Sequence, residues 1–201
     1  MLASKIFGNN YSGDMMFYLI NIILLAIFIY FDFNDLDSSL LKWLTIFNNL
    51  IYMIIKSPSK NALLAVIFTF IADYFLIFTN YKAIGVLSFI FVQYNYMKLL
   101  NYSTFIFLIP MIILLIDQLI TLASSYAILS IYNLKSSFQK RHQNKSQYYF
   151  FFAVSLLAIC DILVALTSLN ILILPIFKIL IWIFYLPSQL LFIFSQTILE
   201  K

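Results

Sequence analysis

Charge is what this chain has least of. Of its 201 residues only 10% are Asp, Glu, Lys or Arg, against 64% hydrophobic. A soluble domain averages about 25% charged and about 45–50% apolar. A water-soluble globular domain is therefore excluded. The mean hydropathy of +0.99 points to an integral membrane protein, read as one polytopic domain over 1–201. There is one cysteine, Cys160, which excludes an internal disulfide. One histidine, His142, cannot build a His/Cys metal cage with that single thiol. No metal and no other cofactor is expected. The N-terminal stretch "MLASKIFGNNYSGDMM" lacks a short apolar core followed by a small-residue cleavage site, so no signal peptide is expected.

What the chain does have is long apolar runs. A membrane span needs roughly 20 apolar residues, with a range of about 17–25. Eight segments are expected, near 15–31, 39–55, 61–78, 83–100, 103–116, 118–134, 147–167 and 173–197. The division between the fifth and sixth falls at Asp117–Gln118, with Pro110 a kink candidate in the fifth. The predicted fold class is an all-α membrane protein with eight transmembrane helices. Residues 1–14 would be a short N-terminal segment and 135–146 a basic loop.

The few charges orient these spans. With the N-terminus inside, the inner side carries Lys5, Lys56, Lys60, Lys98, Lys135, Lys140, Arg141, Lys145 and Lys201. The outer side carries Lys42, Lys82 and Lys178, together with Asp32, Asp35, Asp37 and Asp117. Basic residues collect in cytoplasmic loops, so both ends are expected inside. Fusing the fifth and sixth spans would put "KSSFQKRHQNK" outside and destroy the bias. The net charge of +4 is thus a topology signal, and no nucleic-acid partner is expected. The expected location is a bacterial plasma membrane, crossed several times.

Two carboxylates break the apolar runs. "FIADYFLIF" holds Asp73 and "LAICDILVAL" holds Asp161. Counted from the start of their spans at about 1.5 Å per residue, both sit roughly 18–21 Å up. An ionisable residue at such depth costs about 2.5–3.5 kcal/mol on insertion scales and faces the bundle interior. No Lys or Arg lies deep in any span as a counter-ion. Two such carboxylates do not both ionise comfortably, and a pair holding one proton can supply a general acid and a general base. The plainer reading is two neutral acids bonded to neighbouring helices.

Other polar groups recur around them. The span after Asp73 carries Phe89 and Gln93 at i, i+4, and the span after Asp161 carries Tyr185 and Gln189 at the same spacing. This faint recurrence suggests two parallel four-helix repeats. Tyr126 lies near mid-membrane, where its hydroxyl needs a partner. Ser124, Ser125 and Asn95 read as interhelical packing groups, and Asn48 and Asn49 as packing or cytoplasm-side polar groups. Cys160 beside an aspartate lacks the cationic neighbour that a nucleophilic thiol wants. Lys56 reads as an interfacial anchor or as a partner for a lipid phosphate.

These stretches resemble the lysoplasmalogenase-like (YhhN-like) family of multispanning membrane proteins. The resemblance rests on "FIADYFLIF" with "GVLSFIFVQYNY", and on "AICDILVAL" with "FYLPSQLLFIFS". Gly85, Phe89, Gln93 and Tyr96 match the fourth span of the family pattern. Asp161, Tyr185 and Gln189 match its late motif, and Tyr126 a tyrosine of its sixth span. Ala72 stands where the family has glycine, Gln93 where many members have histidine, and "KSPSK" matches a Lys-Pro only loosely. The resemblance implies hydrolysis of the vinyl ether of lysoplasmalogen, with that lipid and water as substrates and no cofactor. It implies Asp73 and Asp161 as catalytic residues, and Gln93, Tyr126, Tyr185, Gln189 and Lys56 as substrate-binding residues.

A proton-coupled transporter also places carboxylates in the membrane, and a non-catalytic lipid-binding protein is a further alternative. An intramembrane aspartyl protease wants a Gly-x-Gly-Asp motif, which a chain with three glycines does not carry.

Overall fold

The computed structural model describes residues 10–56, 58–102, 118–169, 171, 174 and 176–198. Their regular structure is all helical, in seven helices: α1 Asn10–Phe33, α2 Ser39–Lys56, α3 Lys60–Phe78, α4 Lys82–Leu99, α5 Gln118–Lys140, α6 Lys145–Ser168 and α7 Ile176–Thr197. Four of these, α1, α3, α6 and α7, are long and apolar enough to cross a membrane. That agrees with an all-α membrane protein, whereas the eight spans expected are not reproduced. Helices α2, α4 and α5 coincide with expected spans and bury polar side chains, among them Asn49, Gln93, Asn95, Ser130 and Asn133. The expected fifth span, 103–116 with Pro110, lies outside the described residues.

Local chemistry sets the helix ends. Ser59 caps α3 by accepting the Ala62 N–H, and Asn144 caps α6 by accepting the Gln147 N–H. After α1 and α4 the chain enters the left-handed region at Asp35 and Asn101, each at φ 52°. Short polar side chains tolerate that conformation. The following N–H groups reach back, Leu36 to the Phe31 carbonyl and Tyr102 to the Met97 carbonyl, closing both helices. The basic loop is shorter than expected. Helix α5 runs on to Lys140 and α6 begins at Lys145, because Ser136 and Ser137 are buried and keep the end of α5 packed. Within the N-terminal segment 1–14, α1 starts at Asn10 and Asp14 joins the bundle.

Side-chain pairs give the relative directions. The Asp14–Lys56 ion pair joins the start of α1 to the end of α2, and Tyr18 meets Phe194 near the end of α7. Asn10 and Thr197 therefore lie at one end of the bundle, here the near end. Lys42 at the start of α2 pairs with Asp32 at the end of α1 and lies over the Trp182 ring, 5.5 Å from its centre, so these mark the far end. Helices α4 and α5 run parallel. Phe89 meets Tyr126, Gln93 meets Asn133, and Leu100 meets Lys140. The end of α4 and the start of α5 thus lie at opposite ends of the bundle.

Helices α3 and α4 pack tightly at Gly85. A methyl group there would sit 2.7 Å from the Leu76 side chain and 3.1 Å from the Ala72 carbonyl oxygen. Asp73 follows Ala72 directly, so this small-residue contact holds the helix turn that carries it.

Candidate functional site

Asp73 projects from α3 into the bundle and is 5% exposed. Its Oδ2 accepts a hydrogen bond of 2.5 Å from the Tyr185 hydroxyl on α7. Asp161, on α6, is partly buried, and its Oδ2 accepts one of 2.8 Å from the Tyr126 hydroxyl on α5. The Ser130 hydroxyl lies 3.5 Å from the same oxygen. The two carboxylates are therefore held alike, each by one tyrosine from another helix and each through Oδ2. Neither forms an ion pair among the described residues, whose two ion pairs are Lys42–Asp32 and Lys56–Asp14. Gly85, against Ala72, and Phe89, against Tyr126, are one turn apart on α4, so the two tethered carboxylates lie at a similar level of the bundle.

Local sequence explains the tyrosine positions. Pro187 sits inside α7, two residues after Tyr185. Proline has no N–H and breaks one helical hydrogen bond. The Ser188 hydroxyl donates to the Tyr185 carbonyl at 2.6 Å, beside the Ile183 carbonyl that Pro187 leaves without its helical donor. Trp182 packs edge-on against Tyr185, with ring centres 5.2 Å apart, and fixes the phenol from the far side. Tyr126 leans on Phe89, 5.9 Å away.

Gln93 is fully buried. Its backbone carbonyl and its side-chain Oε1 both accept from Asn133 Nδ2, at 2.9 and 2.7 Å. Nε2, at the other end of the Gln93 amide, is buried without a hydrogen-bond partner among the described residues. Gln189 is buried one turn beyond Tyr185 on the same face of α7. Lys56 is elsewhere. It closes α2 at the near end, bonded to Asp14 at 2.5 Å, while Asp73 is about 20 Å up α3 from that level. Asp73, Asp161, Tyr126, Tyr185 and Gln93 are thus brought into one neighbourhood, and Lys56 is not.

Asn133 and Ser130 were not singled out from sequence. With Tyr126 they follow i, i+4, i+7 on α5, a polar stripe that periodicity alone reveals. Conversely, the Asn95 side chain bonds the Phe91 carbonyl and Ser125 bonds the Thr121 carbonyl, each within its own helix. Their polar groups are spent locally. No group of three or more His, Cys, Asp or Glu suited to a metal occurs among the described residues.

Chemically, the arrangement offers two carboxylates with one oxygen each tied to a phenol, a buried amide clamped by Asn133, and no paired cation among the described residues. Such a set can pass a proton to a substrate and take one from water. Compared with known proteins, the chain matches no family model, no curated protein and no solved structure.

Proposed function

We propose that this protein is a membrane-embedded hydrolase that cleaves the vinyl ether of lysoplasmalogen by acid–base catalysis at Asp73 and Asp161. The observation that carries this reading is the like tethering of buried Asp73 by Tyr185 and of partly buried Asp161 by Tyr126, without a counter-ion among the described residues. A vinyl ether reacts when an acid protonates its β-carbon and leaves an oxocarbenium ion. Water adds to that ion as a base removes its proton. The resulting hemiacetal collapses to a fatty aldehyde and the glycerol hydroxyl of a glycerophospho-base. One protonated carboxyl serves as the acid. The ionised one stabilises the cation and activates water, as paired carboxylates do in glycoside hydrolysis. Because coupled carboxylates titrate as a unit, the two roles are assigned to the pair.

The reading includes an eight-pass topology with both ends cytoplasmic. The parallel course of α4 and α5 supports it, because the chain between Leu100 and Gln118 must return from the near end to the far end. So does the charge. Lys56, Lys60, Lys98, Lys135, Lys140, Arg141 and Lys145 belong to the near end, against Lys42, Lys82 and Lys178 at the far end. The two-repeat reading is supported by the placement of Asp73 and Asp161 in the hairpins α3–α4 and α6–α7. A Gln143→Cys protein in sealed vesicles should label only from the cytoplasmic face. Labelling from outside refutes the orientation.

Reconstituted protein should release aldehyde from lysoplasmalogen and leave the ester-linked lysophospholipid intact. Asp73→Asn and Asp161→Asn should each abolish release while the protein still inserts and folds. Near-full activity in either folded variant sinks the proposal. The layer of Tyr96, Phe150 and Phe192 between the carboxylates and the near end favours a second reading, a proton-coupled transporter with a closed inner gate. Substrate-linked proton flux without aldehyde would select it.

A further inference from the structure

A cavity of about 220 Å³ opens at the near end, lined by Ser59, Leu99, Leu100, Ser146, Gln147, Phe150 and Gln196. A water molecule takes roughly 30 Å³ of liquid volume, so the space suits a larger guest. It lies apart from the carboxylates, since Ser59 and Asp73 are about 21 Å apart along α3. Tyr96, Phe150 and Phe192, whose ring centres are 4.8 to 5.9 Å apart, fill the space between. On each of α4, α6 and α7 this ring layer falls between the cavity residues and the carboxylate neighbourhood.

The chemistry of the walls selects the guest. Two helices, α3 and α6, begin at this cavity. Ser59 Oγ accepts the Ala62 N–H at 3.3 Å, and Asn144 Oδ1 accepts the Gln147 N–H at 2.8 Å. First-turn N–H groups have no partner within their helix, so those of Lys60, Asn61, Lys145 and Ser146 remain. Two helix starts meeting at one cavity sum their positive ends. A second feature points to a ligand. Ser146 is 3% exposed, lines the cavity, and its hydroxyl has no protein partner among the described residues. The neighbouring Gln147 Oε1 is buried and also unbonded; an amide rotation would present its NH₂ instead. Among the described residues no carboxylate lines the cavity, and the near-end Asp14 is bonded to Lys56. Leu99, Leu100 and Phe150 make the opposite wall apolar.

We propose that this cavity binds a phosphate group carried on a small apolar body, either a lipid headgroup or a soluble phosphate ester. Hydroxyls and helix N–H groups supply the charge-assisted hydrogen bonds that phosphate oxygens take. The apolar wall receives the attached carbons. The site is independent of the carboxylate pair and of the hydrolase reading.

Thermal unfolding in a phosphate-free maltoside detergent tests this with three probes: inorganic phosphate, glycerol 3-phosphate and lysophosphatidylglycerol. Monoacylglycerol and equal ionic strength of chloride are the controls. A ligand that binds only the folded state raises the melting temperature with concentration. A saturable rise with the phosphate probes, absent in the controls, is expected. A rise with the soluble probes identifies a soluble ester; a rise with the lysolipid alone identifies a headgroup. Ser146→Leu fills the cavity and should weaken binding at least tenfold. Gln147→Leu should do the same, and it decides the matter if Ser146→Leu does not fold. Asp73→Asn should keep the full response. No response to any phosphate probe, an equal response to the controls, or unchanged binding in the folded variants overturns the proposal.

Discussion

Replacing Tyr185 with phenylalanine removes one hydroxyl and little else. That hydroxyl donates to Asp73 Oδ2 over 2.5 Å at a site where Asp73 is 5% exposed. Water has little access to replace the lost bond. A hydrogen bond to a charged group contributes about 1.5–3 kcal/mol, and an orphaned buried partner costs about 1–3 kcal/mol. Tyr185→Phe should therefore lower the unfolding free energy by about 1–3 kcal/mol. If the same bond positions the carboxyl in the transition state, the rate of aldehyde release falls by about ten- to a hundred-and-fifty-fold. Two measurements separate these effects: denaturant unfolding in detergent, and initial rates on lysoplasmalogen. A double-mutant cycle with Asp73→Asn then isolates the pair. The stability cost of Tyr185→Phe should shrink in the Asn background, because the carboxyl acceptor is already gone. A single variant as stable and as active as the parent refutes the tethering argument. Equal costs in both backgrounds would show that the hydroxyl does not couple to Asp73, which also refutes the tethering argument.

Gly85→Ala should disturb the same carboxylate from behind. Its methyl group meets the Ala72 carbonyl at 3.1 Å, and overpacking costs roughly 1–3 kcal/mol. Lower stability with reduced activity is expected, and an unchanged melting curve would show that α3 and α4 separate freely there. Lys56→Met should leave turnover of lysoplasmalogen nearly unchanged and lower stability by about 1 kcal/mol or less, since its ion pair with Asp14 is partly exposed. A tenfold loss of kcat/KM in this variant would return Lys56 to the substrate.

Much of the site was legible in one dimension. The cost of a carboxylate among apolar residues marks Asp73 and Asp161 without any structure, and i, i+4 spacing marks Tyr185 with Gln189. Asn133 was legible in principle, through its stripe with Tyr126 and Ser130, but an asparagine in a polar-flecked helix gives no sign of what it holds. The length of α5 was misjudged because Lys, Ser and Gln near 135–140 read as a loop, although all are compatible with a helix continuing past the apolar run.

Sequence alone settled composition, the membrane class, most helix bounds and the place of each aspartate along its helix. Those follow from hydropathy and from a fixed rise per residue, both local properties. Which phenol meets which carboxylate was decided by packing, because the rotation of each helix about its axis depends on its neighbours. The same is true of the parallel course of α4 and α5, of the close approach at Gly85, and of the Asp14 that occupies Lys56. Each joins residues far apart in the chain, and only the tertiary structure brings them within a few ångströms.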